Sequence, residues 1–158
     1  MMRQKGSFSQ RFKNTALLVL ILPFILPLAL IGLILHLLFR AVLYLLVWSL
    51  WLPKGKDILL VFSQSPVWHE YMVTHVLPLI EQRAIVLNWS ERSNWKRWSL
   101  AVAVFRNFGG SREYNPMILL FRPLHAVRTF RFWYAFKDWK HGDSESVSRV
   151  RDDLLSAL

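Results

Sequence analysis

The chain contains no cysteine. That excludes a disulfide framework, a thiolate metal site and a thiol nucleophile, while leaving the compartment open. Acidic residues are missing from the first third: the first is Asp57, so residues 1–54 hold six Lys or Arg and no Asp or Glu. The other 14 basic and 10 acidic residues give 55–158 a net charge of +4, against +10 for all 158 residues. The extreme basicity therefore belongs mainly to the N-terminal segment, which argues against a nucleic-acid partner and suits an anionic lipid surface. Glycine-rich phosphate loops, internal repeats and low-complexity tracts are also lacking. No cofactor and no metal are expected.

What is present begins with an apolar run. Arg3, Lys5, Arg11 and Lys13 precede "TALLVLILPFILPLALIGLILHLLF", 25 residues in which His36 is the only ionisable side chain. About 20 apolar residues in helical form cross a bilayer core, so this run is long enough to span. A cleaved signal peptide would be shorter and would end in a small-x-small site, and neither holds here. Arg40 interrupts the run, and "AVLYLLVWSLWLPKGK" follows, too short to cross alone. Two arrangements fit: one helix continuing into the interface, or a re-entrant hairpin bent at Pro23 and Pro27, since proline removes a backbone donor. Arg40, Trp48, Trp51, Lys54 and Lys56 have the composition of an interfacial belt. Basic residues on the two flanks are nearly balanced, and the soluble domain is expected to face the cytoplasm. The predicted organisation is a basic tail at 1–14, a membrane segment at 15–53 and an α/β domain at 54–158.

In that domain, "DILLVFS", "AIVLNW" and "MILLF" have the short apolar form of buried strands, and "AVRTFRFW" is expected to pair back as a fourth. "VWHEYMVTHVLPLIEQR" is predicted to be a helix kinked at Pro78. "SERSNWKRWSLAVAVFRNFGG" is predicted to be a second helix, with Trp95, Trp98, Val102 and Phe105 as its apolar stripe and Gly109 as its stop. "DSESVSRVRDDLLSAL" is predicted to be a last amphipathic helix capped at Asp143 or Ser144, with Val147, Val150, Leu154 and Leu158 facing inward. The order βαβαββα predicts a small sheet with helices on both faces. The alternative is a small Rossmann-like doubly wound sheet in which "RTFRFWYAFKDW" is helical.

That order, with Pro78 inside the first domain helix and Pro116 directly before the third strand, resembles the thioredoxin-like fold over most of 57–158. In that family the second proline is cis and lies beside a Cys-x-x-Cys turn. Here "SQSPVW" stands roughly where that turn would be, and Pro78 departs from the family's spacing. The resemblance therefore implies the fold without cysteine-based redox activity.

Three places carry candidate chemistry. The turn Ser63, Gln64, Ser65 could present hydroxyls and helix amides to an anion, but it has no glycine, and the plainer reading is Ser65 as an N-cap with Pro66 as the first helical residue. In "FRNFGGSREYNP", Gly109, Gly110 and Ser111 offer a tight backbone and a hydroxyl. Arg106, Arg112 and Arg122 could surround an anion there, with Glu113 or Tyr114 acting in chemistry. The plainer reading is a glycine helix stop and a solvated loop. "SERSNWKRW" and "VRTFRFWYAFKDWKHG" interleave aromatics with Arg and Lys; Trp95, Lys96 and Arg97 suit a headgroup region. His69, Glu70 and His75 are spaced wrongly for a shared metal, and the sequon at Asn88 abuts a strand.

The expected function is binding: a membrane-anchored, non-redox domain lying on the bilayer and recognising a partner protein or an anionic lipid or glycan-phosphate headgroup. The alternative is a membrane-bound transferase or hydrolase acting on a lipid-linked phosphate or glycan at the 109–114 loop.

Overall fold

The computed structural model describes residues 6–110, 114–143 and 145–158, with side chains from residue 21 onward. The chain divides into two compact units, Met1–Ala41 and Val42–Leu158.

A single helix, α1, runs through Gly6–Leu50, with Pro23 and Pro27 inside it. Of the two arrangements open from sequence, the chain adopts the continuous helix and not the hairpin. Transmembrane helices tolerate such prolines, because neighbouring groups and small local adjustments re-satisfy the freed carbonyls. From Ile21 to Phe39 every side chain is exposed. The helix is long and apolar enough to cross a membrane.

The unit from Val42 onward is built on one four-stranded sheet: β1 (Ile58–Phe62), β2 (Ala84–Asn88), β3 (Met117–Leu120) and β4 (Arg128–Arg131). Their order across the sheet is β2-β1-β3-β4. β1 and β2 are parallel, whereas β3 runs antiparallel to both β1 and β4. The sheet is therefore mixed, which sets aside the doubly wound alternative. The Asn115-Pro116 bond at the head of β3 is cis.

Because strand side chains alternate, β1 and β3 each feed two cores. Ile58, Leu60, Phe62, Ile118 and Leu120 pack under the short helices after β1 and under α5 (Phe132–Lys140) and α6 (Ser146–Ser156). Leu59, Val61, Met117, Leu119 and Phe121 pack under α4 (Leu100–Phe108) and under Val47 and Trp51. The last turns of α1 thus form part of the second layer, and the globular unit begins at Val42 rather than Lys54. Trp51 is 7% exposed and meets Phe121 edge-on. It is a core ring here, not a belt residue facing headgroups.

Three elements differ from the sequence expectation. The helix after β1 breaks into α2 (His69–Tyr71), a π-helical turn (Met72–Val76) and α3 (Leu77–Ile80). Pro78 has no N–H for the carbonyl four residues back, and the widened turn falls just before it. The predicted second helix starts only at Leu100. Residues 89–94 form a 3-10 turn, opened by Asn88 accepting from the Ser90 amide, and Trp95 is extended. Trp95 turns in to pack against Trp89 and Phe105, whereas Trp98 is 99% exposed, so the predicted stripe does not form. Finally, β4 ends at Arg131 and Phe132 begins α5, because Phe132, Ala135 and Phe136 fall on one buried helical face. With α2 and α3 counted as one broken helix, the domain has one helix more than βαβαββα.

Candidate functional site

The turn after β1 is held by its own polar groups. Ser63, 9% exposed, accepts a 3.0 Å hydrogen bond from Trp68 Nε1 at its Oγ. The Gln64 amide donates to Ser90 Oγ at 3.0 Å. The Ser65 carbonyl accepts from the His69 amide at 2.9 Å, while its hydroxyl lies 3.5 Å from the Val67 amide. Ser65 thus starts the helical turn chiefly through its carbonyl. Val61 pairs with Met117, and carrying that register two places further sets Ser63 opposite Asn115. Asn115 is 8% exposed, and its Oδ1 has no hydrogen-bond partner. Ser63, Gln64 and Ser65 therefore converge with Asn88, Ser90 and Asn115 at the carboxyl ends of the parallel strands, the end at which α/β sheets tend to bind ligands.

Beside this turn runs a groove between Val67–Tyr71, α5 and α6. Two adjoining concavities share Val67 and Phe136. One is lined by Trp68, Trp133, Lys137 and Lys140. The other is lined by Tyr71, Trp139, Val147, Ser148 and Arg151. Trp133, Lys137 and Lys140 recur at i, i+4 and i+7, one face of α5. The floor is aromatic, with Phe136 between Trp68 at 6.1 Å and Tyr71 at 5.6 Å. Tyr114 stacks on Trp133 with ring centroids 4.4 Å apart. Among the described residues, no carboxylate lines either concavity.

Burial pushes the Tyr71 hydroxyl above its ordinary value of 10.0, and the nearby Arg151 charge only partly opposes this. Arg151 itself is held by Asp152 at 2.9 Å, so Lys137 and Lys140 are the groove's more available cations. Away from the groove, Arg83 makes a two-pronged pair with Asp57, at 3.0 and 2.5 Å. That hydrogen bonding raises the Arg83 pKa further.

The other sequence candidates are dispersed. Arg106 is exposed on α4. Arg122 donates to the Ala157 carbonyl, away from the glycines. Ser111, Arg112 and Glu113 lie outside the described residues. What approaches the glycines is Arg131, which sequence reasoning did not select: its guanidinium donates to the Gly109 carbonyl at 3.0 Å. Gly110 has φ +95, a backbone position that side chains rarely adopt, and a Cβ there would also stand 2.7 Å from the same guanidinium. Lys54 and Lys56 precede β1, with Lys56 donating to the Glu81 carbonyl, whereas Trp95 donates to the Asn88 carbonyl at the far end of β2. Lys54 and Lys56 on one side and Trp95 on the other are thus not gathered on one end of the sheet. His69 faces Phe62 and His75 faces Tyr71.

The groove had a partial signal in sequence: the aromatic and lysine alternation of "FWYAFKDWK". Its other wall, Trp68 and Tyr71, comes from some sixty residues earlier in the chain and could be joined to it only by the sheet. No family model matches the chain, and neither a curated protein nor a solved structure is similar to it.

Proposed function

We propose that this is a membrane-anchored, non-redox α/β domain whose groove binds an anionic headgroup, either a lipid-linked phosphate or a glycan phosphate. The observation that carries the reading is the groove's composition: aromatic rings on the floor, Lys137, Lys140 and Arg151 at the edges, and no carboxylate among the described residues of the lining. Aromatic faces suit sugar rings and acyl stems, and lysine supplies point charges to phosphate. A parallel βαβ half and an antiparallel ββα half in one sheet support a thioredoxin-like reading of the domain. The turn at "SQSPVW" then takes the position of a redox motif without its thiols.

The anchor in this reading is α1. Its side chains from Ile21 to Phe39 are exposed and, apart from His36, apolar, and water is a poor solvent for so large an apolar surface. The soluble domain is proposed to face the cytoplasm. With one continuous helix this leaves the basic tail on the other side, against its own four Lys and Arg. Reporter fusions at the two termini test it: a cytoplasmic signal from the N-terminal fusion overturns the orientation.

The binding test uses the full chain in neutral detergent, titrated with glucose 1-phosphate and with glucose, read by tryptophan fluorescence. The phosphorylated probe should bind more tightly. The double variant Lys137→Ala, Lys140→Ala should weaken it about tenfold, or about 1.4 kcal/mol, leaving thermal melting unchanged. Equal affinity for the neutral sugar, or no effect of the double variant, sinks the headgroup reading.

A further inference from the structure

The segment joining β3 to β4 contains a turn that violates two local preferences at once. The His125 amide donates to the Arg122 carbonyl at 3.2 Å, closing a four-residue turn with Pro123 second and Leu124 third. Leu124 has φ +61, and among the described residues no other non-glycine has a positive φ. A positive φ at the third position after a proline is the type II arrangement, a place for glycine or asparagine. Instead it holds a leucine that is 90% exposed. A single exposed leucine needs no explanation. A large apolar side chain in a strained backbone position, touching almost no protein, does call for one.

The position of the turn supplies it. The Tyr44 hydroxyl lies against the Arg122 and His125 carbonyls and shares its one proton between them, tying the base of the turn to α1. Tyr44 lies four residues beyond Arg40, about 6 Å of helical rise further along α1. The headgroup layer beside a bilayer core is of similar depth, about 5–8 Å per side. On the same stretch of helix, Leu43 and Val47 are buried while Val42, Leu45, Leu46 and Leu50 are exposed. The outer face of α1 therefore stays apolar well past Arg40.

We infer that the Arg122–His125 turn is a second membrane contact, with Leu124 inserted into the bilayer interface beside the anchoring helix. This goes beyond headgroup binding in the groove, and rests only on α1 being the anchor. Lipid is the occupant because the turn is fixed by Tyr44 to a stretch of α1 whose outer face, at Val42, Leu45, Leu46 and Leu50, is exposed and apolar. The contact would hold the domain against the surface and limit its swivelling about α1.

The native chain has no cysteine, so single cysteines can be labelled cleanly with bimane. The full chain is reconstituted in vesicles of phosphatidylcholine and phosphatidylglycerol carrying nitroxide-labelled lipid. Three reporters are compared: Leu35→Cys in the apolar run, His125→Cys beside the tip, and Gln64→Cys, exposed at the opposite end of β1. Quenching at Leu35→Cys and His125→Cys but not at Gln64→Cys is the expected result. Adding Leu124→Asn should bring quenching at His125→Cys down toward the Gln64→Cys level without lowering thermal stability, because asparagine tolerates the turn's backbone. Quenching at Leu35→Cys alone overturns the second contact and leaves the anchor standing. Undiminished quenching in the Leu124→Asn variant also overturns it. Absence of quenching at all three positions removes the anchor, and the second contact with it.

Discussion

At the scale of single residues, the groove and its surroundings make sharp predictions. Tyr71 keeps its proton longer when folded, because burial disfavours the phenolate. The folded state then binds more protons than the unfolded state once pH rises past the ordinary tyrosine value near 10.0, so stability is full below that value and is lost above it. Tyr71→Phe should flatten this alkaline loss, as followed by urea midpoints across pH. An unchanged alkaline slope would show that Tyr71 is not the group responsible. The two tryptophans of "NWKRW" should separate. Trp95, half-buried against Trp89 and Phe105, should cost about 2 kcal/mol when changed to alanine, less than the roughly 3–5 of a full core position. Trp98→Ser should stay within about 0.5 kcal/mol. Comparable losses by chemical denaturation would restore the continuous helical stripe that the fold lacks. Asp57→Ala should cost about 1 kcal/mol, because its pair with Arg83 is double-pronged but partly solvated.

At the scale of elements, what could be read from the sequence was local and what could not was set by packing. β1, β2 and β3 announced themselves as short apolar runs between polar breaks, and α6 as a period-3.6 stripe at Val147, Val150 and Leu154. "TFRFWYAFKDW" carried two readings, and both are partly right: Arg128–Arg131 pairs with β3, after which Phe132 opens α5. No local rule fixes that switch; it follows from which aromatics the first core can bury. The span from Ser90 to Ser99 has helical periodicity by count, yet Asn88 competes as a cap and Trp95 packs inward from an extended backbone. In the candidate site, the turn at Ser63–Ser65 was visible in sequence, and so was the aromatic and lysine composition of α5. Their adjacency was not, because it depends on α5 returning across the same sheet face. Arg122 leaves the expected grouping around the glycines for a related reason: it sits near the loop in sequence, but it reaches the Ala157 carbonyl, and Arg131 takes the position at Gly109.

At the scale of the whole molecule, the last turns of the long apolar helix proposed as the anchor also complete the fold of the unit that follows. Leu43, Val47 and Trp51 are buried in the unit that starts at Val42. Burying each is worth about 1.5–3 kcal/mol, together a large share of the roughly 5–15 kcal/mol that holds a domain folded. A chain starting at Val42 should therefore fold in mild detergent with a cooperative melt. One starting at Gly55 should aggregate or melt without cooperativity, its Leu59, Val61 and Phe121 face left covered by α4 alone. A cooperative melt from the Gly55 chain would show the sheet to be self-sufficient. Anchoring itself is tested most directly by alkaline carbonate extraction of membranes from cells expressing the full chain. The account predicts that the protein stays in the pelleted membranes, as a helix crossing the bilayer requires; its recovery in the carbonate supernatant would contradict it.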